Sequence, residues 1–165
     1  MSMIGNLVAV SPSQLQRLIE EPSALPAFLY PDDGREHPSD HFDLEKAWHG
    51  IHFLLTGETW GGDLPLADAV LGGTEIGEDL GYGPARFVTS EEVKATAEAI
   101  AGISRQELEG RYSPGALEKA EIYPTGIWER EGPDALAYLL QYYEPLVSFY
   151  KEAAARGDAV IQFLD

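Results

Sequence analysis

The stretch from His41 to Leu55 constrains this chain more than any other. At 100° per residue, Leu44, Trp48, Ile51 and Leu55 fall on one stripe, and Phe42 and Phe53 on a second flank. A helix that is apolar on two flanks has to be covered by neighbours on both. The spacing therefore predicts a central buried helix over 41–55, closed by Thr56 and by Gly57 as its C-terminal cap. Such an element needs core on either side, so the chain is expected to fold around it.

The remaining elements supply that cover. Ile4 to Val10 is β-branched and apolar and reads as a strand. Ser11-Pro12-Ser13-Gln14 is a capping box that opens a short helix facing inward through Leu15, Leu18 and Ile19, ended by Pro22 and Pro26. Tyr30 to Asp40, with Pro31, Gly34 and Pro38, reads as a loop. Gly57 to Gly83 is glycine-rich and acidic and predicts turns around one short helix near Leu66–Leu71. Pro84 to Val88 reads as a strand. Thr89 with Glu92, Ser104 with Glu107, and Ser113-Pro114 each start a helix. Ile122-Tyr123-Pro124 reads as an edge strand, because Pro124 cannot donate to a ladder. A long helix is predicted over Pro133–Arg156, kinked at Pro145, and Ala159 to Leu164 reads as a strand beside the first. The sum is α+β: a single domain over 1–165, with a small mixed sheet, a central buried helix and a long kinked C-terminal helix.

Composition narrows the function classes. The 165 residues suffice for one core, and 44% of them are hydrophobic. The formal net charge is -17, from 28 acidic and 11 basic side chains, a field that repels phosphate backbones and argues against DNA or RNA as a partner. The same field favours a basic partner or a cation, and the expected partner is a basic protein or a small-molecule ligand. Between Lys46 and Arg86 there is no Lys or Arg, while Glu58, Asp63, Asp68, Glu75, Glu78 and Asp79 fall there. Cysteine is absent, which excludes disulfides, thiolate metal sites and cysteine nucleophiles and fits a cytoplasmic location. The first residues carry no signal-peptide pattern, and no window approaches a membrane span, so no membrane association is expected.

Two groups of residues carry candidate chemistry. On a continuous helix, His41, Glu45, His49 and His52 would lie within about 80° of each other. Glu45, His49 and His52 are thus candidates for acid–base work or for a divalent metal, with His49 and His52 as ligands. The spacing is not the His-Glu-x-x-His of metal helices, and it reads equally as two core histidines bonded to backbone. Trp60 in its glycine-rich loop, Tyr82, and Arg86 beside the acidic stretch are candidates for ligand binding. Gly81-Tyr82-Gly83-Pro84 precedes a strand and lacks the Lys-Ser/Thr of a phosphate loop, and no motif calls for a cofactor, so none is expected. Tyr138, Tyr142 and Phe149 form an aromatic strip that reads as core boundary, or as an interface if exposed. The oligomeric state stays open.

The segments Met-Ser-Met-Ile-Gly at the start, Asp43 to Gly57, Pro65 to Gly73, Tyr82 to Arg86 and Glu121 to Pro124 together resemble the YfbM-like family of bacterial proteins of unknown function, the domain of unknown function 1877. The dense aromatic and histidine placement from Trp48 to Gly57 carries the resemblance, which spans nearly the whole chain. It implies a compact α+β domain and brings no reaction and no catalytic residues. Two expectations stand. The first is a binding domain recognising a protein or small ligand, or neutralising a basic partner. The second is a hydrolase-type enzyme using the Glu/His cluster with or without a metal.

Overall fold

In the computed structural model, which describes residues 2–165, the two terminal strands meet in the middle of one sheet. In chain order the elements are β1 (Gly5–Val10), α1 (Pro12–Glu20), α2 (Leu25–Leu29), β2 (His41–Glu45), α3 (Trp48–Thr56), β3 (Thr74–Asp79) and β4 (Pro84–Val88). They continue as α4 (Ser90–Ala101), α5 (Arg105–Arg111), α6 (Pro114–Lys119), α7 (Trp128–Glu131), α8 (Pro133–Arg156) and β5 (Ala159–Leu164). The strand order is β2-β1-β5-β4-β3. Where a mixed sheet is expected from sequence, all four pairings are antiparallel. The α+β class holds, and no helix among the described residues is long and apolar enough to cross a membrane.

The sheet separates two cores. Alternate residues of the central strands, Leu7 and Ala9 on β1 and Val160 and Leu164 on β5, face the larger core with α3, α4, α5 and α8. Their neighbours Val8, Val10, Ile161 and Phe163 face a smaller one with Leu15, Leu18, Leu25 and Leu29 of α1 and α2. Because both faces are covered, every residue of β1 and β5 is buried. Burial of each large side chain here contributes roughly 1.5–3 kcal/mol.

Local signals explain where most helices start. Ser11, Thr89, Ser104 and Ser113 each accept a hydrogen bond from the backbone N–H three residues on. At Thr89 the box closes from the side-chain end, as its hydroxyl donates to Glu92 Oε1 at 2.8 Å. α8 runs unbroken from Pro133 to Arg156 through Pro145 and stops at Gly157, which sits at φ 74°. α3 is buried along seven of its nine residues, as a central helix requires. It approaches α8 so closely that a Cβ on Gly50 would lie 2.7 Å from Leu139 Cδ2.

Four segments differ from the sequence reading. His41–Glu45 is a strand, not the first turn of the central helix, which starts at Trp48. Asp43 Oδ1 accepts from Glu45 N at 2.7 Å and Glu45 adopts φ 50°, a turn that ends the strand before the helix can begin. Ile122–Pro124 is not a strand, since no sheet edge reaches it and side chains take its backbone groups instead. His49 Nδ1 accepts from Tyr123 N–H, and Trp128 Nε1–H donates to Ile122 O. Thr74–Asp79, read as turns, forms edge strand β3, whose one buried residue is Ile76. The helix expected near Leu66–Leu71 is a single 3-10 turn, Leu66–Asp68.

Candidate functional site

The Glu45, His49 and His52 cluster does not assemble as a helical face. Glu45 lies at the end of β2, and His41 on the same strand is paired with Val8 of β1, so both are removed from α3. No group of three or more His, Asp or Glu among the described residues is arranged to hold a metal ion. His49 remains on α3, buried, with both ring nitrogens committed. Nδ1 accepts from Tyr123 N–H at 2.9 Å, which leaves the proton on Nε2 to donate to Thr59 O at 3.0 Å. The ring therefore ties α3 to two loops as one fixed neutral tautomer, with neither a free lone pair nor a free N–H. Burial holds its pKa below the ordinary imidazole value.

His52 stands one turn further on, equally buried, and is wired differently. Among the described residues its two ring nitrogens are the only buried side-chain polar atoms without a hydrogen bond. The Gly61 backbone lies near enough to favour the protonated form, although no bond of good geometry is made. Burial, with His49 beside it, outweighs that and lowers the pKa.

Trp60 is the exposed end of an aromatic stack. Trp48 and His49 lie nearly parallel with ring centres 4.7 Å apart, Trp60 covers His49 at 4.7 Å, and Tyr123 stacks on Trp48 at 5.9 Å. Trp48 is buried and anchored by Nε1–H to Met3 O, whereas Trp60 is 61% exposed. Next to it opens a cleft of about 520 Å³, lined by Trp60, Leu64, Asp68, Leu71, Arg86 and Glu92, with the backbones of Gly61–Gly62 and Gly72–Gly73 completing the wall. The structure thus brings Trp60 and Arg86 together. Tyr82 does not line this cleft. It sits in the β3–β4 turn, half-buried against the larger core.

The floor of the cleft is a polar network. Asp68 is buried, and its Oδ1 accepts from Gly73 N–H at 2.8 Å. Gln162 of β5, also buried, accepts from Gly72 N–H at 2.8 Å and donates to Asp68 O and to Tyr150 Oη. The Tyr150 hydroxyl donates to Ala69 O at 2.7 Å. This wiring fixes the 66–73 turn against the sheet and allows no side chain at Gly72, where a Cβ would lie 2.6 Å from Asp68 Oδ1. Burial raises the Asp68 pKa above the ordinary carboxylate value. The Gly73 N–H opposes that rise, and the neighbouring Glu92 carboxyl adds to it. Arg86 is only partly available to the cleft, being paired with Glu75 at 3.1 Å.

Sequence reasoning does not single out Asp68, Glu92, Gln162 or Tyr150 as site residues. Asp68 is one of several acids in a glycine-rich stretch, and Glu92 reads fully as a helix cap. The signal that was available is Gln162, a polar residue in the middle of an otherwise apolar strand, which demands buried partners.

Three likenesses accompany this geometry. A family model described as a domain of unknown function, DUF1877, matches residues 1–163. Protein YfbM of Escherichia coli (strain K12) is 31% identical over 120 residues, spanning 70% of this chain and 71% of that protein. The crystal structure of YfbM from Escherichia coli, a protein of unknown function, covers 98% of this chain and 99% of its own with a TM-score of 0.77 and 26% identity.

Proposed function

Since this chain belongs to the DUF1877 family, whose description names no activity, we propose from its own residues that it is a non-enzymatic binding domain taking a cationic group into the cleft under Trp60. The observation that carries this reading is the exposed indole of Trp60 beside two carboxylates, Asp68 and Glu92, on one cleft wall. An indole face and paired carboxylates are the two features that recognise an organic cation, the first by its quadrupole and the second by charge. Arg86 is the one opposing charge, and Glu75 offsets it. The net charge of -17 would steer a basic partner toward the surface. The source of the cation would be a small molecule or a side chain of a basic protein, and a cytoplasmic setting fits the absence of cysteine. Tyr82, in the turn between β3 and β4, stays a peripheral candidate for contact with a larger partner.

Calorimetric titration with tetramethylammonium and with a lysine-rich peptide tests this. Saturable binding that is lost in Trp60→Ala and weakened in Glu92→Gln is expected. Absence of binding at low salt, or binding indifferent to Trp60→Ala, would refute it.

A hydrolytic reading draws on the same cleft through one observation. The raised Asp68 carboxyl facing Glu92 is the pairing that lets one carboxyl hold a proton while the other is ionised. A hydrolytic site built on Glu45, His49 and His52 has less support, because both nitrogens of His49 are already bonded to backbone.

A further inference from the structure

A second cleft, of about 260 Å³, lies where β1, β2 and the end of β5 meet the loop before β2. Its lining includes Asn6, Glu36, His37, His41, Asp43 and Asp165, and no Lys or Arg. Hydrogen bonds fix the tautomers of both imidazoles when neutral. His37 Nδ1 lies 3.0 Å from Leu29 O and must donate to it, so Nε2 carries the lone pair. Asn6 Nδ2 donates to Ile4 O and to Asp165 Oδ1, so its Oδ1 is the acceptor toward His41 Nε2 at 2.7 Å, and the His41 lone pair is left on Nδ1. The two rings lie 4.3 Å apart.

One contact in this network is unresolved. His37 Nε2 and Asp165 Oδ2 stand 3.6 Å apart, too far for a hydrogen bond, with both atoms acceptors while the ring is neutral. The His37 side chain is only 7% exposed, enclosed by Tyr30, His41 and Phe163, so solvent reaches this nitrogen through little more than the cleft. Asp165 itself is fixed by Asn6 and by the Tyr30 hydroxyl, which donates to Oδ2 at 3.0 Å. The ring is nine-tenths buried, and its one unbonded nitrogen opens on the cleft beside a fixed carboxylate, where a ligand donor could serve both. Glu36, Asp43 and Glu45 add further acceptors at its rim.

We propose that this cleft binds a guanidinium group, whose N–H donors bridge His37 Nε2 and Asp165 Oδ2. A guanidinium offers several donors and no acceptor, can donate to two acceptors from one planar edge, and brings a positive charge to offset the surrounding carboxylates. This site is separate from the cleft under Trp60 and does not depend on that reading.

The experiment is a titration of the ¹⁵N-labelled protein with agmatine, followed through the histidine ring nitrogens by NMR. Agmatine is expected to shift the His37 and His41 signals saturably and leave His49 unmoved. Asp165→Asn, whose amide oxygen can still accept from Asn6 while its NH2 donates to the Tyr30 hydroxyl oxygen, should weaken binding at least about tenfold while the thermal melt stays near wild type. The blocked tripeptide Gly-Arg-Gly separates the sources. Equal or tighter binding of the peptide assigns the site to an arginine side chain, and binding of agmatine alone assigns it to a free small molecule. The proposal is overturned if neither probe moves His37, or if putrescine binds as tightly as agmatine.

Discussion

His49 and His52 lie three residues apart on the same helix, each 3% exposed, and their surroundings could hardly differ more. His49 has both nitrogens bonded to backbone and holds two loops to α3. His52 has neither nitrogen bonded. The lesson is that burial of a polar side chain does not by itself assign it a task. What matters is which groups would be left alone if the side chain were removed.

That contrast can be broken by substitution. The largest effect is expected for His49→Ala. It orphans Tyr123 N–H and Thr59 C=O and leaves a hole under Trp60, so it should cost about 3 kcal/mol, measured by urea unfolding. A loss under about 1 kcal/mol would mean that the loops are held by the aromatic stack instead. His52→Leu should go the other way, gaining about 1 kcal/mol, because an unpaired polar group is replaced by an apolar one of similar size. Clear destabilisation would reveal a bonded partner for His52 and erase the difference between the two residues.

The next effect is on pH dependence. Both folded imidazoles lie below the ordinary value, so the unfolded chain binds protons in a window where the native chain does not. Their contribution is fully present above about pH 6.5 and is lost as pH falls through and below it. Unfolding free energy followed across that range should drop in the wild type and drop less in His52→Leu. An identical slope would show that His52 does not titrate differently on folding. The smallest effect is expected at the outer end of the stack. Trp60→Ala should change stability by less than about 1 kcal/mol, since the indole is mostly exposed, and a larger loss would make Trp60 structural.

Much of the fold was legible because local chemistry and tertiary burial agree. The caps at Ser11, Thr89 and Ser104 are read from four residues each, that at Ser113 from Ser113-Pro114 alone, and all four form as expected. The error at His41–Glu45 has a physical cause. Phe42 and Leu44 fit a two-residue period as well as a helical stripe, and no Gly or Pro marks the change of period before Trp48. The marker that does exist, Asp43 turning back onto Glu45 N–H, is a side-chain bond that hydrophobic periodicity cannot register. β3 was missed for the opposite reason. Its single buried residue, Ile76, leaves no alternation to read, and its bonds come from β4. Of the candidate site, Trp60 and Arg86 were visible as oddities in a glycine-rich acidic stretch. Asp68 and Glu92 were not, because their meeting depends on the 66–73 turn being fixed by Gln162, 90 residues further along the chain from Gly72.

Binding at the Trp60 cleft should also respond to pH, because a cation favours the ionised form of Asp68. Affinity is expected to rise as pH climbs through the elevated Asp68 value. Acrylamide quenching of tryptophan fluorescence tests the cleft most directly, since Trp48 and Trp128 are buried and only Trp60 is open to solvent. Saturating tetramethylammonium is expected to protect the quenchable fraction in the wild type and to have no such effect once Glu92 and Asp68 are both replaced by their amides. Undiminished quenching at saturating cation, or equal protection in the double variant, would contradict a cation site under Trp60.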